Sequence, residues 1–298
     1  MKRFIDNLRG FKKPLIEESP TRPIPKEALQ ADSRIARQHL EPPQFIVGCA
    51  QSIGKQRDHN EDALFTLTTT LTTDFSNVPF GLYIVADGMG GHQHGEVASG
   101  IAIRSMASYI IRKLYTPLLS PKPHPPEESL LEIMQEGVQD AHRAITRQVP
   151  GGGTTLTAAL ILGNQMTIAH VGDSRAYLIS EDGSIESLTR DHSLVKRLVE
   201  LGQITTDEAA VHPQRNVLYR ALGQGEPFDP DINSLQTPED GTLLLCSDGL
   251  WSVVPEATIQ RLVQESERPE EACRNLIEAA NNAGGPDNIS AIIIRLPS

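Results

Sequence analysis

Three cysteines in 298 residues are too few, and too irregularly spaced, for a disulfide framework or a thiolate metal site. Cys49 and Cys246 fall in strand-like runs and Cys273 in a helical one. All three are expected as reduced core residues, in keeping with a reducing cytoplasm. No apolar run approaches the roughly 20 residues needed to span a bilayer, and no secretory signal precedes the body. The expected location is therefore cytoplasmic, with no membrane span. Positive charge is scarce as well: 27 Lys and Arg stand against 38 Asp and Glu, a net charge of −11. Residues 1–44 run the other way, with 9 basic and 6 acidic residues, which leaves 18 basic and 32 acidic in the remainder. So acidic a body excludes general nucleic-acid binding, which needs basic surface to neutralise phosphates. It remains compatible with a small anionic substrate if a cation or an arginine reverses the sign locally. The 39% hydrophobic and 22% charged content that is present suits a soluble globular enzyme of one large or two small domains.

The stretch around which the chain is organised is Tyr83-Ile84-Val85-Ala86-Asp87-Gly88-Met89-Gly90-Gly91-His92. An apolar run reads as a buried strand and stops at one carboxylate. Glycines follow where the backbone must turn sharply or let something approach. A carboxylate at a strand mouth, followed by an exposed carbonyl, is how oxygen ligands are offered to a hard divalent cation. A plain strand-to-helix turn has the same local appearance.

Residues 1–44 read as a tail or linker. Phe4, Ile5, Leu8 and Phe11 form one stripe of a short basic helix, followed by Pro14, Pro20, Pro23, Pro25, Pro42 and Pro43. An arm packed on the domain surface is the alternative. The domain proper is expected over 45–298. Strands are read at 45–50, 63–67 and 82–86, and a helix at 95–115 stopped by Pro117. A proline-rich loop leads to a second helix bearing Leu131, Met134, Val138, Ala141 and Ile145 on one face. Strands at 154–162, 166–171, 176–179 and 185–188 follow, with Gly163-Asn164 and Asp182-Gly183 marking antiparallel hairpins. Residues 190–223 form a mixed, partly helical insertion. A strand at 243–246, two short helices and a last strand at 290–295 complete the chain. The pattern predicts an α+β fold: an antiparallel β-sandwich flanked by helix pairs, in four αββα layers.

Five aspartates close strands or sit in glycine-rich turns: Asp62, Asp87, Asp173, Asp248 and Asp287. Asp-Gly and Pro-Asp pairs are commonly mere turn formers, which is the reading for Asp182-Gly183 and Glu239-Asp240-Gly241. Five converging anions would repel one another and raise their own pKa values. Divalent cations remove that penalty, and oxygen-only ligation favours Mg²⁺ or Mn²⁺ over Zn²⁺.

Taken in order, Arg57-x-x-Asn60-Glu61-Asp62, Asp87-Gly88-Met89-Gly90-Gly91-His92, Gly153-Thr154-Thr155-Leu156, Gly172-Asp173-Ser174-Arg175, Asp191-His192-Ser193, Arg220-Ala221-Leu222-Gly223, Ser247-Asp248-Gly249-Leu250-Trp251 and Asp287-Asn288-Ile289 resemble the metal-dependent (PPM, type 2C) serine/threonine protein phosphatases, in particular their bacterial branch. The resemblance covers residues 45–296. It implies hydrolysis of phosphoserine and phosphothreonine in proteins at a binuclear Mn²⁺ or Mg²⁺ site, opposing Ser/Thr kinases. Carried over by position, Asp87 bridges two cations, the Gly88 carbonyl completes one with Glu61 reaching it through water, and Asp248 and Asp287 hold the other. Asp62 orients the bridging water. Arg57 grips the phosphoryl group, as a planar guanidinium suits. Asp173 is expected to share a third, weaker cation with Asp248, against the alternative that it only accepts turn hydrogen bonds or pairs with Arg175.

One departure matters. Some family members place a histidine directly after the metal-binding Asp-Gly as general acid, where this chain has Met89. His92 and His94 are the nearby candidates for that proton. The insertion at 190–223 corresponds to the family's flap, with Asp191, His192 and Ser193 bracing its base, and substrate choice is expected to depend on it. The expected partners are phosphorylated proteins, with no nucleic acid, and the expected state is a monomer. The rival readings are a phosphatase of small phosphate esters and a catalytically inactive binding protein on the same fold.

Overall fold

From Leu82 to Ala86 apolar residues occupy consecutive positions, so a strand there needs cover on both faces. The structure, a computed structural model, describes residues 44–73, 76–90, 93–120, 126–225 and 228–297, and it supplies that cover. The helix read at Phe4 to Phe11, and His92, lie outside the described residues.

The chain opens with β1 (Ile46–Ser52), β2 (Asp62–Thr73) and β3 (Ser76–Met89). The helix α1 (Gln93–Ile110) continues through a π-helical turn (Ile111–Tyr115) into α2 (Thr116–Leu118), and α3 (Leu130–Gln148) packs back on α1. Ser129 caps α3: its side chain accepts from the Glu132 N–H while Glu132 reaches back to the Ser129 N–H. Then come β4 (Gly153–Thr154), β5 (Leu156–Leu162), β6 (Gln165–Val171), β7 (Arg175–Ile179) and β8 (Ile185–Ser187). The insertion carries α4 (Leu194–Glu200) and α5 (Thr206–Ala210). The chain closes with β9 (Asp231–Gln236), β10 (Thr242–Cys246), α6 (Asp248–Trp251), α7 (Glu256–Glu265), α8 (Pro269–Asn282) and β11 (Ile289–Arg295).

The strands form two antiparallel sheets, β1-β11-β10-β7-β8 and β2-β3-β5-β6-β9, with the short β4 added to β3. Alternate residues of the central strands serve different cores. Leu82, Ile84 and Ala86 of β3, with Leu156, Ala158 and Leu160 of β5, pack under α1 and α3. Their neighbours Tyr83, Val85, Ala159 and Ile161 face Leu243, Leu245, Ile292 and Ile294 of the other sheet. Leu244, Cys246, Ala291 and Ile293 meet α7 and α8 on the far side. These are the four αββα layers that the sequence leads one to expect, and the double cover explains the unbroken apolar runs. Cys246 and Cys273 are buried in the third of these cores, and burial pushes both thiols up to about 12, so neither is a thiolate at neutral pH.

Four local expectations need correction. Cys49 is exposed rather than core, because β1 is the outer strand of its sheet. The β2–β3 hairpin runs well past 63–67 and 82–86, since its far half is threonine-rich and has strand propensity without an apolar pattern. The strand read over 154–162 is broken at Thr155, whose N–H and hydroxyl are both bonded to the Asp87 backbone, each at 2.9 Å. Pro117 does not stop the helix: it sits in the first turn of α2, where its missing N–H is tolerated, and the helix ends one residue later. The strand β9, which carries little apolar pattern, has no counterpart in the sequence reading.

Candidate active site

The sandwich brings acidic side chains together at the end where β2 begins and β3 ends. Asp62 and Asp87 lie directly opposite each other across the β2–β3 pair. Asp248 is the first residue of α6, immediately after β10, and Asp287 precedes β11. Two serines from the other sheet fix Asp62: Ser247 Oγ and Ser290 Oγ donate to Asp62 Oδ2 at 2.7 and 2.6 Å. The Ser290 N–H in turn donates to Ser247 Oγ at 2.9 Å. The second oxygen of Asp62, Oδ1, is buried without a hydrogen-bond partner among the described residues, as is Oδ1 of Asp248.

An orphaned buried acceptor costs about 1–3 kcal/mol, more when charged. Electrostatics shows the same strain. Burial raises the Asp62 carboxyl to about 7, against the two serine hydrogen bonds, with Asp248 and Asp287 adding to the rise. Burial and then the charges of Asp62, Asp248, Asp173 and Asp287 push Asp87 well above the usual carboxylate range. Asp248 is raised to about 6, by burial first and then Asp287. Asp173 is raised by burial, then Asp248 and Asp191. Among the described residues no three acidic, histidine or cysteine side chains close into a ready cage for a metal ion. The fit to hard divalent cations rests instead on the two orphaned oxygens and on mutual repulsion that a bound cation relieves.

Backbone packing completes the neighbourhood. The Gly88 N–H donates to the Glu61 carbonyl at 3.2 Å. A Cβ on Gly88 would lie 2.3 Å from the Gly95 carbonyl oxygen, and one on Gly95 would lie 2.9 Å from Glu61 Cδ. Glycine at both positions is what lets the start of α1, Gly88 and the Glu61 side chain meet. Arg57 stands at the mouth, half-exposed, and donates from Nη2 to Asp287 Oδ2 at 2.7 Å.

The loop bearing Arg57 is held by Asn288. Its Oδ1 accepts from the Glu61 N–H at 2.8 Å, and its Nδ2 donates to the carbonyls of Ile53 and His59, each at 2.9 Å. The Asp287-Asn288-Ile289 motif flagged this residue, but sequence reasoning gave it no role. Ser247 was likewise visible beside Asp248, whereas Ser290 carries no sequence signal at all.

Asp173 lies in the turn between β6 and β7. The hydrogen bonds of Arg175 go elsewhere: its guanidinium makes a two-point bond to Asp191 at 2.9 and 2.7 Å and stacks 3.6 Å over the Trp251 ring. Its charge and a hydrogen bond from Asp173's own backbone still work against the rise of the Asp173 carboxyl. Trp251 Nε1 donates to the Asp173 carbonyl at 2.9 Å, tying α6 to this turn. The insertion is anchored to the same place. His192 Nδ1 accepts from the Gly172 N–H at 3.1 Å, and Ser193 caps α4. Asp191, His192 and Ser193 thus brace the base of the insertion. Met89 offers no ionisable proton, and His94 is exposed at the start of α1.

Buried carboxylates that call for hard cations, with an arginine over their mouth, are the equipment of a metal-assisted phosphate-ester hydrolase. Comparison with known proteins makes this specific: the Protein phosphatase 2C family model matches residues 48–289, and the chain belongs to that family. It is 36% identical over 247 residues to the serine/threonine phosphatase stp of Listeria innocua, covering 81% of this chain and 92% of that one. It is 37% identical over 246 residues to the serine/threonine protein phosphatase PstP of Mycobacterium tuberculosis, covering 80% of this chain but 43% of PstP. A crystal structure of the M. tuberculosis phosphatase superposes with a TM-score of 0.72 at 33% identity, over 86% of this chain and 100% of that one. The PstP catalytic domain in complex with two manganese ions gives 0.69 at 32% identity, over 86% and 99%.

Removing the Asn288 amide tests the loop architecture. Asn288→Ala leaves one buried N–H and two carbonyls without their partner, a cost of about 1–3 kcal/mol. Amides of residues 53–61 are expected to exchange about tenfold faster or more, while those of β5 and β6 keep their protection. Unchanged exchange over 53–61, read by hydrogen–deuterium exchange, would contradict the role.

Proposed function

We propose that residues 45–298 hydrolyse phosphoserine and phosphothreonine esters in proteins at a binuclear Mn²⁺ or Mg²⁺ site, opposing Ser/Thr kinases, with residues 1–44 as a tail outside the chemistry. The observation that carries this reading is the pair of orphaned carboxylate oxygens on Asp62 and Asp248, beside Asp87 and beneath Arg57, in a Protein phosphatase 2C chain. The metals, when bound, acidify water and neutralise charge on the attacking and leaving oxygens. Asp87, the Gly88 carbonyl, Asp248 and Asp287 would hold the two ions, with Glu61 reaching one through water.

The chain's own residues do the rest. Asp62, immobilised through Oδ2 by Ser247 and Ser290, keeps Oδ1 to orient the attacking water. Arg57 binds the phosphoryl oxygens in two-point fashion once Asp287 has a cation to face. Met89 cannot protonate the departing serine or threonine alkoxide, so that proton comes from water or from another group. Asp173, whose carboxyl is pushed up by burial and then by the charge of Asp248, would share a third and looser ion with it.

The deciding experiment is phosphatase turnover of phosphothreonine, phosphoserine and phosphotyrosine peptides as a function of Mn²⁺. Turnover of the first two that vanishes in excess chelator is expected; activity confined to small esters such as p-nitrophenyl phosphate would overturn the protein-phosphatase reading. Asp248→Asn is expected to lower kcat by orders of magnitude with the thermal melt of a folded protein retained. Full turnover in that variant would refute the metal assignment. For Arg57→Ala we expect a larger rise in KM than loss of Mn²⁺ affinity, measured by steady-state kinetics beside calorimetric metal titration; the reverse pattern would place Arg57 in the metal site. Asp173→Ala should retain two bound ions by calorimetry yet lose most phosphopeptide turnover. Normal activity at every Mn²⁺ concentration would reduce Asp173 to a turn residue.

A further inference from the structure

Residues 45–298 carry 32 acidic and 18 basic side chains, yet arginines gather in one place on the insertion. A cleft of ≈370 Å³ is lined by Arg190, His192, Arg197, Tyr219, Arg220 and Asp231. Its size falls within the range of ligand-binding clefts, about 300–1,000 Å³. A smaller cleft of ≈180 Å³ adjoins it across Arg190 and Asp231. None of Asp62, Asp87, Asp173, Asp248 or Asp287 lines either one. The larger cleft is nevertheless tied to the carboxylate centre. His192 exchanges two hydrogen bonds with Gly172, the residue before Asp173: the Gly172 N–H donates to Nδ1 at 3.1 Å, and the His192 N–H donates to the Gly172 carbonyl at 2.7 Å.

The charges in the cleft do not cancel. Arg220 donates to Asp231 Oδ1 at 3.0 Å, and Oδ2 of the same carboxylate contacts His192 Nε2 at 3.1 Å. Glu200, from the end of α4, forms a two-point ion pair with Arg190. That same carboxylate is the one acidic partner of Arg197 among the described residues, and at 3.8 Å it is beyond hydrogen-bonding distance. Three guanidinium groups therefore answer to two carboxylates, and the Arg197 donors are available. Burial holds the His192 ring below its ordinary pKa, so it adds no cation at neutral pH. Beside the arginines the insertion exposes Tyr219, Val217 and Leu201, apolar surface on which a polypeptide can lie.

We propose that this cleft receives a second anionic side chain, a phosphate or a carboxylate, on the same polypeptide that presents the scissile phosphoserine or phosphothreonine. Arg190 and Arg197 are its specificity-determining residues. The inference rests on the protein-phosphatase reading above and sharpens it: the substrates are acidic or multiply phosphorylated segments. Elsewhere the acidic surface repels such segments, so a local excess of guanidinium is what admits them. The planar guanidinium also offers the two-point geometry that carboxylate and phosphate share.

The test is a set of phosphothreonine peptides, identical except for one scanned position that carries alanine, glutamate or a second phosphothreonine. Values of kcat/KM are measured with the full chain in Mn²⁺. At some offset the anionic peptides are expected to exceed the alanine peptide by about tenfold, through KM. A gain with phosphothreonine alone identifies phosphate as the recognised group, and a gain with both identifies anionic charge. The double variant Arg190→Gln/Arg197→Gln should abolish the preference, and Arg197→Glu, at an exposed side chain, should turn it into a penalty. Absence of any preference in the unmodified chain, or its survival in both variants, overturns the proposal. Failure to turn over the alanine peptide while p-nitrophenyl phosphate is hydrolysed is a different result: it overturns the protein-phosphatase reading, and this inference with it.

Discussion

The repulsion among Asp62, Asp87, Asp173, Asp248 and Asp287 is the constraint on which the rest of the structure depends. Burial deprives Asp62, Asp87, Asp173 and Asp248 of solvent and raises the pKa of all four, and each is raised further by at least one neighbouring aspartate. Left alone, such a cluster would relax by moving apart or taking up protons. It is held because its members sit on elements that cannot move separately. Asp62 and Asp87 belong to one sheet, Asp248 and Asp287 to the ends of strands in the other. Between the sheets, Tyr83, Val85, Leu243, Leu245, Ile292 and Ile294 form a continuous apolar layer. Burying each such side chain contributes on the order of 1.5–3 kcal/mol, and that contribution offsets the electrostatic strain at the sandwich end.

Polar ties of short reach convert this crude convergence into defined positions. Ser247 and Ser290 reach across from one sheet to pin Asp62 on the other. Asn288 holds the chain between Ile53 and Glu61, so Arg57 is carried by a loop without regular structure yet has a fixed base. Arg175, Trp251 and Asp191 link α6, the Asp173 turn and the insertion into one unit. The insertion's own surface remains exposed and rich in charge, which suits a segment whose contacts are made to another molecule.

Charge distribution sets the terms for any anionic substrate. The body is strongly acidic, so approach of a phosphate ester is unfavourable at long range except where cations or arginines invert the field. Arg57 does this at the mouth of the carboxylate cluster. The arginines of the insertion do it again in a separate cleft, with His192 connecting the two regions through Gly172.

Much of this was legible in the amino-acid sequence. Unbroken apolar runs at 82–86 and 243–246 announced strands, and two-residue glycine turns announced antiparallel hairpins, because those patterns follow from local sterics and burial alone. Aspartates at the ends of such runs marked the candidate site before any fold was known. What the sequence left undecided depends on distance through space. The extra length of the β2–β3 hairpin, the break at Thr155 and the exposure of Cys49 follow from which strands become neighbours and which become edges. The choice of Asp191, not Asp173, as the partner of Arg175 is of the same kind. So is the pinning of Asp62 by Ser290, 228 residues away in the chain. Local propensity carries no information about such contacts, since a hydroxyl or a guanidinium takes whatever partner the packed sheets bring within about 3 Å.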